Sequence, residues 1–211
     1  MERPDTATHE TPTQCVLWSF VMSRPRIYIV AGPRSCGKST FIDHCKAAGS
    51  ALLLPEEVSG LVGAHGPVYY MDLAGQTTID SRDLLVDVDL LTPFVHQTTS
   101  SEQQLVSMLQ PQAFSEFPGA SLFDGCAKLT VLTLRVPRNS TLRRWLRRSV
   151  EQGRDSVRTV IAQLYSDALG EAGYSRLYDA WDQYITGLPN ATRWNIFEAR
   201  DSGKYSVVRA R

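Results

Sequence analysis

Several features are scarce in this sequence of 211 residues, and each scarcity narrows the class of protein. There are only 4 cysteines, and their spacing matches neither CxxC pairs nor a metal-ligand pattern, which favours a reduced protein of the cytoplasm without a zinc site. The longest apolar runs are only strand-sized, which argues against a transmembrane helix. An excess of either charge is also absent, because 22 Lys+Arg balance 22 Asp+Glu. Net charge therefore gives no sign of a membrane or nucleic-acid partner.

Lysine is the scarcest charged residue, since 18 of the 22 basic residues are Arg and only 4 are Lys. The charges are also unevenly distributed along the chain. Residues 56–124 contain ten acidic residues and a single basic residue, Arg82, whereas residues 135–158 contain eight Arg against Glu151 and Asp155. The neutral total therefore hides an acidic middle sector and an arginine-rich sector, so any nucleic-acid contact must be local.

The distribution of apolar residues predicts one domain over residues 25–211, preceded by an extension, 1–24, that is disordered or dispensable. Five strands are predicted, at 26–31, 51–54, 68–71, 128–136 and 192–199. Helices are predicted at 38–48 and 102–109, and three amphipathic helical segments follow at 142–150, 157–168 and 174–185. Strands that alternate with helices indicate an α/β fold with a mostly parallel five-stranded sheet, covered by helices on both faces.

One motif carries specific chemistry, because the segment from Gly32 to Ser39 matches GxxxxGK[ST] in full. In this motif the backbone N–H groups and the N-terminal end of the following helix surround the phosphates of a nucleotide. Lys38 would reach the β- and γ-phosphates, and the Ser39 hydroxyl would bind Mg²⁺. An apolar strand precedes the loop and a helical pattern follows it, as the motif requires. The residues predicted to bind the nucleotide are Gly32, Pro33, Arg34, Ser35, Cys36, Gly37, Lys38, Ser39 and Thr40.

A second segment resembles the P-loop nucleoside and nucleotide kinases, of the deoxynucleoside-kinase and thymidylate-kinase types. The strand at 128–136, Pro137 and the arginine-rich stretch 142–148 are similar to the strand, proline and helix that form the lid of these enzymes. Arg144 and Arg148 stand at the matching places. The resemblance implies a three-layer P-loop NTPase fold with an Arg-rich helical lid, ATP and Mg²⁺ as cofactors, and phosphate contacts from both arginines.

The same resemblance suggests the remaining catalytic groups. Pro55-Glu56 is similar to a Pro-Glu pair that deoxynucleoside kinases carry after the P-loop, which implies Glu56 as the general base and Glu57 as its alternative. The segment 68–72 is an apolar strand that ends in a carboxylate. This pattern predicts Asp72 as a metal residue that serves Mg²⁺ together with Ser39, and a general-base role for Asp72 also stays open.

The acidic sector suits a hydroxyl acceptor better than an already phosphorylated one. Its Asp83, Asp87 and Asp89 could accept hydrogen bonds from the sugar or base of an acceptor, but a solvated face is the favoured interpretation. In overall character the chain is similar to bacteriophage kinases that phosphorylate the hydroxymethyl group of 5-hydroxymethyluracil in DNA, which would act in the host cytoplasm. That DNA base and a free (deoxy)nucleoside are equally favoured acceptors of the ATP γ-phosphate. The alternative function is a GTP-dependent regulatory switch with a protein partner, because residues 72–76 resemble the switch motif of small GTPases.

Overall fold

The computed structural model describes residues 25–48, 54–69, 82–91, 109–115, 126, 128–152, 157–198 and 204–210, with the backbone alone for 48, 149–152 and 157–169. The strands are β1 (Arg26–Gly32), β2 (His65–Tyr69), β3 (Leu84–Asp89), β4 (Lys128–Arg135), β5 (Ala191–Glu198) and β6 (Tyr205–Arg209). The helices are α1 (Lys38–Ala48), α2 (Glu56–Ser59), α3 (Gln112–Ser115), α4 (Arg138–Gln152) and α5 (Val157–Thr186), with a 3-10 turn at Gly60–Gly63. None of these described helices has the length and apolar character needed to cross a bilayer.

The six strands form one sheet in the order β2-β3-β1-β4-β5-β6. The central strand β1 pairs in parallel with β3 on one side and with β4 on the other. β2 and β5 continue the parallel pairing outward, and β6 runs antiparallel to β5. The described residues therefore form an α/β fold with a mostly parallel mixed sheet, which confirms the predicted class, although the sheet has six strands where five were expected.

Strands β3 and β6 are the two that the sequence pattern did not predict. β3 reads Leu-Leu-Val-Asp-Val-Asp, and its acids favoured an exposed segment. The interpretation of Asp87 as part of a solvated face is wrong, because only 7% of this residue is exposed and its carboxylate lies beside Lys38. A buried carboxylate is stable only where a partner compensates its lost hydration, and that partner comes from a distant part of the chain.

Other predicted elements differ in extent. The expected strand at 68–71 begins earlier, at His65, and residues 70–71 lie outside the described residues. Of the expected strand at 51–54, only Leu54 is described, and it is irregular; of the expected helix at 102–109, only Leu109 is described, and it is not helical. The last two predicted helical segments join within α5, where Gly170 adopts a non-helical backbone with φ 60°.

The sheet has one apolar core on each face. Alternate side chains of β1 belong to one core or to the other. Ile27, Ile29 and Ala31 point to the face that α3 and α5 cover, hereafter the α5 face. Tyr28 and Val30 point to the opposite face, covered by α1 and α2 and hereafter the α1 face. Because parallel strands buried on both sides need apolar residues at every position, β1 reads as a continuous hydrophobic run.

Trp181 of α5 gives a test of how the α5 face is held together. Its side chain is 1% exposed, its Nε1 donates to Thr133 Oγ1 of β4 at 3.0 Å, and its ring meets Phe114 edge-on at a centroid distance of 5.2 Å. We expect Trp181→Phe to lower the free energy of unfolding by about 2–3 kcal/mol, because it removes both this hydrogen bond and part of the buried ring. Urea denaturation followed by circular dichroism measures the change.

The variant Thr133→Val removes the acceptor of the same bond and completes a double-mutant cycle. We expect the double variant Trp181→Phe/Thr133→Val to lose less stability than the sum of the two single losses, because the bond can be lost only once. Strict additivity would mean that the Trp181–Thr133 hydrogen bond does not contribute to stability.

Candidate functional site

The strand order points to the carboxyl ends of β1 and β4 as the place for a ligand. The connection from β1 to β2 passes over the α1 face, whereas the connection from β4 to β5 contains α5 on the opposite face. The chain thus leaves these two neighbouring strands in opposite directions, which is a topological switch point. In open α/β sheets ligands bind at such points, so the residues that follow β1 and β4 define the candidate site.

The loop between β1 and α1 is tightly curled. Ser35 and Gly37 have positive φ angles, 62° and 105°, and the Cys36 N–H donates to the Pro33 carbonyl at 3.2 Å. Gly32 allows the curl, because a Cβ at this position would lie 2.6 Å from the Cys36 Sγ atom. The loop ends at Lys38, where α1 begins. A curled loop at the N-terminal end of an 11-residue helix is the arrangement that the sequence motif predicts.

Lys38 lies buried beneath this loop, with 8% of the residue exposed. Its Nζ donates to the Gly32 carbonyl at 2.9 Å and lies 3.4 Å from Oδ1 of Asp87. Burial alone would lower the pKa of Lys38, but the carboxylates of Asp87 and Asp89, and Cys36 at the high pH where its thiol ionises, outweigh it, and the pKa is raised above the ordinary value. The ammonium group is therefore charged at neutral pH and held against the Gly32 and Pro33 carbonyls at the start of the loop.

Asp87 and Asp89 are the acidic residues of the site, and both come from β3. In the register of the sheet, Val30 pairs with Asp87 and Gly32 with Asp89, so the two acids lie beside the end of β1 and the start of the loop. Burial is the main reason that the pKa of Asp87 is raised, with Lys38 opposing the shift. Asp89 Oδ1 accepts a hydrogen bond from the Leu91 N–H at 3.1 Å.

The sequence analysis predicted that Asp72, at the end of a strand, is the carboxylate that serves Mg²⁺. Asp72 lies outside the described residues. The sequence contains a comparable pattern at Asp87 and Asp89, because three apolar residues precede them. The two acids were instead interpreted as part of the acidic sector. Asp83, grouped with them in the sequence, is not part of the site. It lies at the other end of β3, where its carboxylate accepts from the Arg26 backbone N–H and side chain.

The oxygen donors near the loop fit a magnesium ion. Ser39 is exposed at the start of α1, and the carboxylates of Asp87 and Asp89 stand beside the loop. Among the described residues no group of three or more His, Cys, Asp or Glu side chains could hold a metal by itself. Mg²⁺ is usually held by one or two protein oxygens together with substrate phosphates and water, so a small set of hard donors is compatible with this ion.

Arg144 of α4 lies directly on the loop. Its Nη1 donates to the Cys36 carbonyl at 2.6 Å, and its Nη2 donates to Oε2 of Glu198, at the end of β5, at 2.5 Å. A Cβ at position 37 would lie 2.9 Å from the same Nη1, so Gly37 also provides the space for the guanidinium. Arg148, one turn further along α4, is exposed. Glu198 is the one member of this group that sequence reasoning did not consider.

The position of α4 is fixed by buried hydroxyl groups. Thr141 Oγ1 and the Tyr174 hydroxyl are 2.9 Å apart, and the Tyr178 hydroxyl donates to the Leu134 carbonyl at 2.7 Å. Burial raises the pKa values of Tyr174 and Tyr178, so both phenols stay neutral and able to donate. These contacts tie the start of α4 to α5, and α5 to the end of β4, and so help to position the helix that carries Arg144.

The other predicted site residues are in mixed surroundings. Pro33 and Cys36 are buried, Arg34 and Ser35 are half-buried, and Thr40 is exposed. Burial raises the pKa of the Cys36 thiol to about 11, so the thiol is uncharged near neutral pH and adds no negative charge to the loop. Glu56 is exposed in the first turn of α2, and Glu57 is half-buried beside it. The general-base role of Glu56 stays a prediction.

Comparison with models of known protein families finds no match, and comparison with curated proteins finds no significant match either. The case for a function therefore depends on the residues of the site and on their geometry. The described residues bring together the curled loop, Lys38, the β3 acids and Arg144, at the edge of the sheet where the topology favours a ligand.

Proposed function

We propose that this protein is a P-loop kinase that transfers the γ-phosphate of ATP to a hydroxyl group. The observation that supports the proposal best is the position of Lys38, a buried cation under a loop with two positive φ angles, at the start of α1. A buried ammonium costs several kcal/mol of hydration unless an anion compensates it. Asp87 compensates it in this structure, and the phosphates of a nucleotide would do so in the complex.

The proposed reaction assigns one task to each group. Loop N–H groups and Lys38 hold the β- and γ-phosphates, and Arg144 stabilises the charge on the group in transfer. Ser39 with Asp87 or Asp89 would hold Mg²⁺, which when bound neutralises phosphate charge. The acceptor oxygen forms a bond to the γ-phosphorus while the bond from that phosphorus to ADP breaks. Glu56 is the proposed base that takes the hydroxyl proton.

The proposed acceptor is a nucleoside-type alcohol, either a free (deoxy)nucleoside or the hydroxymethyl group of 5-hydroxymethyluracil in DNA. Both candidates follow from the composition of the chain and from the resemblance to kinases. The arginines of α4 support a DNA acceptor, because Arg143, Arg147 and Arg148 are exposed on the helix that carries Arg144. Exposed arginines can contact a phosphate backbone independently of its sequence.

The proposal is tested with ATP labelled at the γ-position and a panel of acceptors. The panel contains nucleosides, nucleoside monophosphates, plain duplex DNA and duplex DNA with 5-hydroxymethyluracil. We expect Mg²⁺-dependent transfer of label to a nucleoside or to the hydroxymethylated DNA, and little transfer to plain DNA, which lacks the additional hydroxyl groups. Chromatography of the products identifies the phosphorylated acceptor.

The same panel is repeated with labelled GTP as the donor. A strong preference for GTP, with no label in any acceptor, would contradict the kinase proposal and favour the regulatory-switch alternative. Binding of ATP without transfer to any member of the panel would also count against a nucleoside-type acceptor.

A further inference from the structure

We propose that Glu198 is a positioning residue that holds Arg144 in the orientation needed for phosphoryl transfer. The inference rests on the proposed kinase function and deepens it, because it assigns a role to a residue at the far end of the chain. Glu198 is the last residue of β5, and its main-chain partner across the sheet is Tyr205 of β6. Only 11% of the Glu198 side chain and 19% of the Arg144 side chain are exposed.

The contacts fix the guanidinium group from two sides. Nη1 of Arg144 donates to the Cys36 carbonyl at 2.6 Å, and Nη2 donates to the Glu198 carboxylate at 2.5 Å. A guanidinium is planar, so two bonds from different nitrogens set both its place and the direction of its plane. The remaining N–H donors lie in the same plane, beside the loop predicted to hold the phosphates.

Glu198 also pairs with the charge of Arg144. The Glu198 carboxylate lies at the end of β5, 2.5 Å from Arg144 Nη2, and the Asp87 carboxylate lies near the end of β3, 3.4 Å from Lys38 Nζ. Arg144 and Lys38 are therefore each paired with one acid from the carboxyl-terminal part of a strand, and a phosphate bound at the loop would meet both cations in place.

A long arginine side chain loses rotamer freedom when it is fixed, and this loss must otherwise occur in each catalytic cycle. If Glu198 fixes Arg144 before the substrate binds, this loss of rotamer freedom does not add to the activation free energy of phosphoryl transfer. We therefore expect removal of Glu198 to lower kcat more than it changes the KM for ATP. A merely structural ion pair would lower thermal stability and leave kcat unchanged.

The test compares Glu198→Ala and Glu198→Gln in the full chain. We expect Glu198→Ala to lower kcat about tenfold, with less than about a threefold change in the KM for ATP, because one fixing bond of the guanidinium is lost. Glu198→Gln should keep most of the activity, because its amide oxygen can accept the same bond. Asp182→Ala is the matched control: it breaks the Arg135–Asp182 pair, which has the same 2.5 Å separation but does not contact the loop.

Two further measurements separate positioning from folding. The double variant Arg144→Ala/Glu198→Ala should be no slower than Arg144→Ala alone, because Glu198 acts through Arg144. Added guanidinium ion should partly restore the activity of Arg144→Ala, and this rescue should be lost in the double variant, which has no carboxylate to capture the ion. Melting temperatures of all variants are compared with that of Asp182→Ala.

The inference is overturned if Glu198→Ala retains full kcat, or if guanidinium restores Arg144→Ala equally well with and without Glu198. Either result leaves the proposed function intact, provided that the unsubstituted protein transfers phosphate. If the unsubstituted protein binds no ATP and transfers no label, the proposed function itself fails and Glu198 has no reaction to support. The two failures are therefore distinguishable in the same set of assays.

Discussion

Lys38→Met is expected to lower the rate of the proposed phosphoryl transfer about a thousand-fold, because it removes the buried cation that we propose contacts the transferring phosphate. Lys38 lies under the loop, 2.9 Å from the Gly32 carbonyl and 3.4 Å from Asp87 Oδ1. Methionine has a similar length and fills the same volume without the charge. Single-turnover transfer of labelled phosphate measures the chemical step directly, at a saturating concentration of ATP.

The substitution also leaves Asp87 buried without its cation, so stability must be measured beside activity. Lys38→Arg keeps the charge and serves as a second variant, which should fold with a compensated Asp87. It should still be strongly impaired, because a planar guanidinium differs in shape from an ammonium group and does not repeat its contacts with the Gly32 and Pro33 carbonyls. Lys46→Met is the matched control on the same helix, where the side chain is exposed and contacts only the Gly66 carbonyl among the contacts that the structure describes. Retained transfer by a folded Lys38→Met protein would refute the site assignment.

Asp87→Asn and Asp89→Asn are each expected to lower transfer at least about a hundred-fold, because both carboxylates lie beside the start of the loop and are the proposed oxygen donors for Mg²⁺. The two variants differ in a useful way. Asp87 is paired with Lys38, so its loss also removes the anion that compensates a buried cation. Asp89 has no such pairing described, so Asp89→Asn should mainly raise the Mg²⁺ concentration at which the activity is half-maximal.

Titration of activity with Mg²⁺ and direct binding of Mg²⁺·ATP give the two readouts. Asp83→Asn is the matched control: Asp83 directly precedes β3 and its carboxylate binds Arg26, about 13 Å from Asp87 and about 20 Å from Asp89 along the strand. This control should leave the Mg²⁺ dependence unchanged. If Asp87→Asn and Asp89→Asn are both as active as Asp83→Asn, the metal residue is elsewhere, and Asp72 becomes the candidate again.

The parts of the site that could be predicted from the sequence are those encoded by neighbouring residues. The curl of the loop needs glycine at two fixed positions and a helix directly behind it, so Gly32, Gly37 and Lys38 form a pattern that is readable in eight consecutive letters. Arg144 was a candidate because the proline and the arginine spacing at the start of α4 resemble the lid of P-loop kinases. The structure places Arg144 on the loop, and its contact with phosphate stays a prediction.

The acids of the site could not be predicted in the same way, because their environment is created by the sheet. An aspartate in an acidic sector is normally hydrated, and only the pairing of β3 with β1 brings Asp87 next to Lys38 and makes its burial tolerable. Glu198 gives no local signal either, since it ends a strand whose place beside β4 depends on the whole connection through α4 and α5. In β3 and in β5 the sequence shows a strand that ends in a carboxylate. This pattern does not indicate which cation the carboxylate contacts in the folded protein.

The bridge from the loop through Arg144 to Glu198 also has a consequence for the point during synthesis at which the proposed site is completed. Cys36 and Arg144 are 108 positions apart in the chain, and Arg144 and Glu198 are 54 positions apart. Contacts between such distant positions form only after the intervening chain has folded, since the entropy of closing these loops is lost before the contacts compensate it. A nascent chain whose β5 has not yet emerged from the ribosome can contain the complete nucleotide motif while Arg144 still lacks its contact with Glu198. Completion of the last parallel strand is therefore the step at which the contacts of Arg144 in the proposed site become complete.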